Sequence, residues 1–171
     1  MGNTGNCYNT GANDQFSELE SKNVNTLEGN ECDLNGQGTF YGKTNNGIPA
    51  GFGRAEMNDG TRLEGKWNNG VLSDGKIFYP NGDQYEGHIR NYKANGLGKY
   101  SSHDGNVYEG MMQNDLMHGE GLMQFANGGQ YKGQMKDNLM HGKGTFTFPN
   151  RNRFQGKLFL FEVVDRGLII I

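Results

Sequence analysis

The sequence predicts an all-β fold, a single-layer antiparallel β-meander of tandem hairpins forming an open, twisted repeat sheet. Three observations predict it. Glycine supplies 29 of 171 residues, against only 3 prolines. A triplet that ends in glycine and opens with an aromatic or leucine returns every 22 or 23 residues. Between the triplets, apolar and polar residues alternate with the period of two that a strand imposes. Many glycines without proline point to tight turns and close backbone approaches, not to collagen or proline-rich disorder. A hydrophobic content of 33% is low for a globular domain, so a thin sheet is expected in place of a large core.

The anchors are Phe40-Tyr41-Gly42, Leu63-Glu64-Gly65, Tyr85-Glu86-Gly87, Tyr108-Glu109-Gly110, Tyr131-Lys132-Gly133 and Phe154-Gln155-Gly156. Inside the units a second pattern recurs: Gly51-Phe52-Gly53, Gly96-Leu97-Gly98, Gly119-Glu120-Gly121 and Gly142-Lys143-Gly144. The short unit keeps only Gly75 of it. A third glycine follows at Gly60, Gly82, Gly105 and Gly128, and Arg151 breaks that series. Self-similarity at such a period marks a repeat architecture, with atypical terminal units.

Each element follows from these anchors. The pairs Asp59-Gly60, Asn81-Gly82, Asp104-Gly105 and Asn127-Gly128 predict type I′ hairpin turns. A strand begins near each anchor. Alternation puts Leu63, Trp67, Tyr85, Ile89, Tyr108, Met112, Tyr131 and Met135 on one face, with Ala55, Ile77, Tyr100, Met123, Phe125, Phe146 and Phe148 from the partner strands. Arg54, Glu56, Lys99, Gln124, Thr145 and Thr147 take the wet face. The anchor glycine leaves room for a ring to lie flat across the strand. Two strands per unit at ~4.8 Å put equivalent residues ~10 Å apart, and twist curves the sheet into a trough.

The aromatic-Glu-Gly, Gly-x-Gly (often preceded by His) and Asp/Asn-Gly sequence resembles the MORN family (membrane occupation and recognition nexus repeats). Units YEGMMQNDLMHGEGLMQFANGGQ and YKGQMKDNLMHGKGTFTFPNRNR match best, and the resemblance covers residues 34–158. It implies a non-catalytic array of tandem hairpins. It also implies partners among membranes and phosphoinositides, or among cytoskeletal and ciliary assemblies. Around the array, residues 1–33 read as a flexible acidic segment and 159–171 as a divergent apolar cap. The tail Leu158–Ile171 is expected to cover part of the trough.

No enzyme chemistry emerges from the residues. His118 and His141 occupy equivalent positions in neighbouring units, and ~10 Å is too long for one metal with ~2 Å bonds. They read as structural, and no metal or cofactor is expected. Glu64, Glu86 and Glu109 recur on the wet face at a spacing too wide for a glycosidase pair, so they are expected to pair across strands. No nucleophile elbow, P-loop or EF-hand pattern is present. Cys7 and Cys32 lack a CxxC context and read as two free thiols in a reducing compartment, with a single disulfide as the alternative. The polar N-terminus shows no signal peptide, and the expected location is cytoplasmic, attached to a membrane or to a ciliary or cytoskeletal structure.

Two surfaces stand out as binding candidates. The first is the aromatic trough of Trp67, Tyr85, Tyr100, Tyr108, Phe125, Tyr131, Phe146, Phe148 and Phe154, suited to a protein partner or a homodimer. Its plainer reading is a covered core. The second is a basic patch, Lys132, Lys136, Lys143, Arg151, Arg153 and Lys157, suited to anionic lipids. Net charge of −3 gives no nucleic-acid-scale basic excess, so no nucleic-acid partner is expected. Met1-Gly2-Asn3-Thr4-Gly5-Asn6-Cys7 adds lipidation candidates at Gly2 (myristoylation) and Cys7 (palmitoylation), although Asn6 stands where the pattern wants Ser or Thr. The function expected is a scaffold or adaptor that binds a membrane surface or partner protein through its sheet. The alternative is a soluble structural subunit of a ciliary or cytoskeletal assembly. A regulatory module of a separate enzyme is a third reading.

Overall fold

The computed structural model describes residues 7–8, 30–164 and 167–170, with side chains described over 31–157. Among them every regular element is a β-strand. The chain divides into two compact units, Met1–Gly75 and Lys76–Ile171. Within each, strands that neighbour one another in sequence neighbour one another in the sheet. They pair antiparallel, so the fold is the all-β meander that the alternation demands.

The first unit holds β1 (Cys7–Tyr8), β2 (Asn30–Asp33), β3 (Gly38–Asn45), β4 (Ile48–Met57), β5 (Arg62–Asn68) and the first part of β6 (Val71–Phe78). Its interior is Cys32, Leu34, Phe40, Ala55, Leu63, Trp67 and Leu72. The Phe40 and Trp67 rings meet edge to face, 5.0 Å between centroids, and the indole N–H donates to the Gly53 carbonyl at 3.3 Å.

The second unit continues with β7 (Gln84–Arg90), β8 (Lys93–Ser101), β9 (Val107–Gln113), β10 (Leu116–Gln124), β11 (Gln130–Lys136), β12 (Leu139–Thr147), β13 (Arg153–Val164) and β14 (Gly167–Ile170). Ile77, Tyr85, Ile89, Ala94, Tyr108, Met112, Tyr131, Met135, Met140 and Phe146 are buried in it. Of these, the residues that period-two alternation assigns to the aromatic face are found on it.

The type I′ turns fall elsewhere than expected. At the Asp/Asn-Gly pairs only the glycine has positive φ: 86° at Gly60, 91° at Gly82, 88° at Gly105 and 88° at Gly128. These are three-residue loops, in which Gly60 N–H donates to Met57 O at 3.0 Å and Met57 N–H to Thr61 O at 2.8 Å. A turn closed by a left-handed residue has this pattern. Arg151 fills the glycine's place in the last such loop and adopts φ of 69°. Two-residue loops with positive φ at both positions sit at the opposite hairpin ends: Asn46-Gly47, Asn69-Gly70, Asn91-Tyr92, Asn114-Asp115 and Asp137-Asn138. Asn-Gly at 46 and 69 is the strongest sequence signal for such a turn, and it precedes the Gly-x-Gly pattern, not the anchor.

Two further expectations change. The tail does not lie across the rings by its backbone. Strand β13 pairs with β12, Met140 opposite Phe161, and β14 pairs with β13, so residues 158–164 and 167–170 extend the meander. An alternating apolar segment beside an open strand edge completes that edge's hydrogen bonds first. The expectation of two free thiols also fails. Among the described residues no free cysteine occurs, Cys32 is disulfide-bonded, and strand register sets it opposite Cys7. Adjacent antiparallel strands bring opposed Cα atoms within the span that a disulfide requires. Gly2 and most of the 1–33 segment lie outside the described residues, as does the Cys7 side chain.

Candidate binding surfaces

The expected open trough is largely an interior. Trp67 in the first unit, and Tyr85, Tyr108 and Tyr131 in the second, are at most 1% exposed. For the three tyrosines the reason is a pair of facing glycines beside a register irregularity in each repeat, and such a bulge bends its strand. Gly87 faces Gly98, Gly110 faces Gly121 and Gly133 faces Gly144. The ring of the unit's own tyrosine lies over that pair. A Cβ added at Gly98, Gly121 or Gly144 would stand 2.3 to 2.4 Å from Tyr85, Tyr108 or Tyr131 ring atoms. Glycine therefore recurs because a ring occupies the space of its side chain. Phe40 does the same over Gly42 and Gly53.

Each tyrosine hydroxyl then reaches two carbonyls at the bend. Tyr85 donates toward His88 O (2.9 Å) and Leu97 O (3.2 Å). Tyr108 bonds Met111 O at 3.0 Å, with His118 O at 3.3 Å. Tyr131 bonds Gln134 O at 2.8 Å, with His141 O at 3.4 Å. Burial, then the Glu120 carboxylate, pushes the Tyr108 and Tyr131 phenols up to about 12.

Short polar side chains join one hairpin to the next. Asp115, in a two-residue turn, donates its N–H to Ala94 O at 3.0 Å and accepts the Ala94 N–H on its carboxylate at 2.8 Å. Asn138 repeats both bonds with Met117, at 3.1 and 2.8 Å. Tyr79 adds its hydroxyl to Asp115 at 2.8 Å. At the other hairpin ends Asp83 accepts the His103 N–H at 2.9 Å and Asn106 the Ala126 N–H at 3.0 Å. Asp83 is buried; burial raises its carboxyl's pKa, but the Tyr100 hydroxyl, His103 and Asn81 outweigh it and hold it low. These Asx residues escaped sequence reasoning. Their signal was present in the Asn/Asp pairs at 114–115 and 137–138.

What remains open on the aromatic side is a second row. Tyr79, Tyr100, Met123, Phe125 and Phe148 are half-buried, while Phe146 is interior and Phe154 exposed. Ring contacts link Tyr79 to Tyr100, Phe125 to Phe146 and Phe146 to Phe148.

The wet face carries the charges. Glu64 pairs with Arg62 at 3.2 Å, Glu86 with Lys76 at 3.6 Å and Glu109 with Lys99 at 3.5 Å. The next anchor has Lys132 in the glutamate's place, and Thr145 stands opposite it. Lys143 stands opposite Lys157, like charges on neighbouring strands. Among the described residues, Lys132, Lys136, Lys143, Arg151 and Arg153 form no ion pair, and all are exposed. The basic patch is thus one continuous surface of β11–β13 and its adjoining turn.

His118 sets Nδ1 3.6 Å from Asp137 and, like His141, lies beside a shallow cleft with Gln134 and Lys136. His103 stands between Asp83 and Asp104 at 3.1 and 3.0 Å. Among the described residues no three His, Cys, Asp or Glu side chains converge as metal ligands.

Hairpins stacked in chain order, with buried rings holding the bends and polar side chains joining neighbours, define a tandem-repeat sheet of the kind that presents surfaces for binding. Residues 85–107, 108–130 and 131–153 each match the MORN repeat, so this stretch of the chain is a run of three MORN repeats. The matched repeats begin at Tyr85, Tyr108 and Tyr131, and this repeat is a non-enzymatic module. No curated protein matches the chain.

Proposed function

We propose that this chain is a non-catalytic scaffold whose sheet docks on an anionic membrane surface through the wet face of β11–β13. The observation that carries this reading is the loss of charge balance from one repeat to the next. Glu86 and Glu109 each hold a lysine at 3.5 to 3.6 Å, whereas Lys132 replaces that acid, and among the described residues Lys132, Lys136, Lys143 and Arg153 form no ion pair. Like charges gathered on one face repel, so exposed Lys132, Lys136, Lys143, Arg151 and Arg153 are suited to an external anion. Each basic side chain near an anionic leaflet contributes ~1 kcal/mol, and the attraction falls off within a Debye length.

Sedimentation with vesicles of mixed phosphatidylcholine and phosphatidylserine tests it. The chain should bind them, lose binding as salt rises, and ignore phosphatidylcholine alone. Lys132→Gln/Lys143→Gln/Arg153→Gln should abolish most of the binding. Equal binding by that variant would overturn the reading. An acyl chain at Gly2 would add a second anchoring signal, and the intact mass of the native protein reads it directly.

The half-buried row Tyr100, Met123, Phe125 and Phe148 favours a second reading, a protein partner within a structural assembly. Binding that survives loss of the basic residues but fails with Phe125→Ser would select it.

A further inference from the structure

We infer that the scaffold does not only rest on the membrane by charge: Leu97, Met111 and Leu116 form an apolar wedge that enters the bilayer beside the basic field. This inference rests on the anionic-surface reading and names the residues that deepen it. Leu97 is 58% exposed, Met111 41% and Leu116 37%. Leu97 and Met111 are register partners on β8 and β9, on the same face as the Lys99–Glu109 pair two residues along. Leu116 opens β10 opposite Gln113, which shares that face with Met111.

The repeat itself supplies the comparison. Each hairpin sets the middle residue of Gly-x-Gly opposite the residue three past the anchor. Those pairs are Phe52 with Lys66 in the first unit, and Leu97 with Met111, Glu120 with Gln134, and Lys143 with Lys157 in the second. Both members are polar or charged in two of these four pairs, and Lys66 faces Phe52 in a third, so only Leu97 and Met111 pair two apolar side chains there. The pairs of the second unit follow one another ~10 Å apart along the sheet, from apolar through Glu120 and Gln134 to basic. Exposed single apolar residues are ordinary. A cross-strand apolar pair with a third residue beside it, on the same face as the basic surface and one repeat away from it, matches what a peripheral membrane contact combines: apolar burial and attraction to anionic lipid. A soluble anion or an acidic protein would use the lysines and leave the wedge in water.

The full chain with Leu97→Gln/Met111→Gln tests this, since Gln134 shows that glutamine is accepted at an equivalent site. Partitioning into phosphatidylcholine–phosphatidylserine vesicles should fall about tenfold, as expected for losing part of the burial of two large side chains. Retention on a soluble polyanion, heparin, should stay unchanged. A Leu97→Trp variant should shift its emission to the blue on vesicle binding and be quenched by brominated lipid. Undiminished vesicle binding by the glutamine variant, or unshifted emission from the Leu97→Trp variant, would overturn the wedge. If the basic-residue variant still lost binding in that case, the anionic-surface reading would stand. Failure of the unaltered chain to bind vesicles would remove both.

Discussion

The hydroxyl of Tyr108 donates to the carbonyl of Met111, three residues along its own strand, at 3.0 Å. The bond exists because Gly110 lets the strand turn beneath the ring, and Gly121 on the next strand leaves the ring its bed. One side chain thereby fills the core of its hairpin and caps the polar groups at its bend.

Removing only the oxygen separates these two roles. Tyr108→Phe should cost ~1–2 kcal/mol, because it leaves a buried acceptor without its donor. Tyr108→Ala should cost ~3–5 kcal/mol, the usual range for deleting a buried aromatic ring. Glu109→Ala, exposed and paired only with Lys99, should stay within ~0.5 kcal/mol. Urea unfolding of the three variants checks the ranking, and a loss for Glu109→Ala equal to that for Tyr108→Ala would contradict the face assignment.

Gly121→Ala should be as damaging as a ring deletion. The new Cβ would lie 2.3 Å from Tyr108 Cε2, and the ring is pinned by its hydroxyl. Gly128→Ala, with no atom within 4 Å, would carry only the strain of its left-handed φ of 88°. The expected order in thermal melts is wild type, then Gly128→Ala at ~1–2 kcal/mol, then Gly121→Ala.

Arg151→Gly should stabilise the chain by ~1 kcal/mol. Arg151 holds φ of 69° in a loop whose counterparts all use glycine, and a left-handed side-chain residue carries a penalty of ~1–2 kcal/mol, offset in part by glycine's greater freedom when unfolded. Denaturant midpoints of the two proteins measure it. No gain would mean that the arginine side chain makes a compensating contact.

Alkaline pH should unfold the second unit. Tyr108 and Tyr131 titrate near 12 in the fold against 10.0 for a free phenol. A folded value above the unfolded one means that the fold holds its protons longer. The stability this contributes is full below pH 10 and is lost as pH rises through 12. Strand circular dichroism and phenolate absorbance should therefore change together in that window. Complete ionisation with the strand signal intact would show that the hydroxyls are not held by the bends.

Asp115→Ala should loosen the joint between β8 and the β9–β10 turn. It removes the acceptor of both Ala94 N–H and the Tyr79 hydroxyl, at 2.8 Å each. Asp115→Asn should recover most of the loss, since Asn138 makes the equivalent bond in the next repeat. Hydrogen exchange at Ala94 reads this directly, with faster exchange in the alanine variant only.

The sequence by itself determined the period, the all-β meander and the face of each strand residue. A repeat of 23 fixes equivalent positions, and Tyr108 inward with Glu109 outward follows from the pleat alone. Tertiary structure decided where the strand register breaks, and with it whether the rings form a groove or an interior. Alternation is silent on these breaks, which fall beside facing glycines such as Gly110 and Gly121 that accept a ring in place of side chains. It also decided which glycine pairs are two-residue turns, because Asp59-Gly60 and Asn69-Gly70 read alike until register shows which loop must span three residues. The disulfide of Cys32 and the uncompensated charge around Lys132 belong to the same class. Each depends on which strand lies alongside, and only the folded sheet sets that.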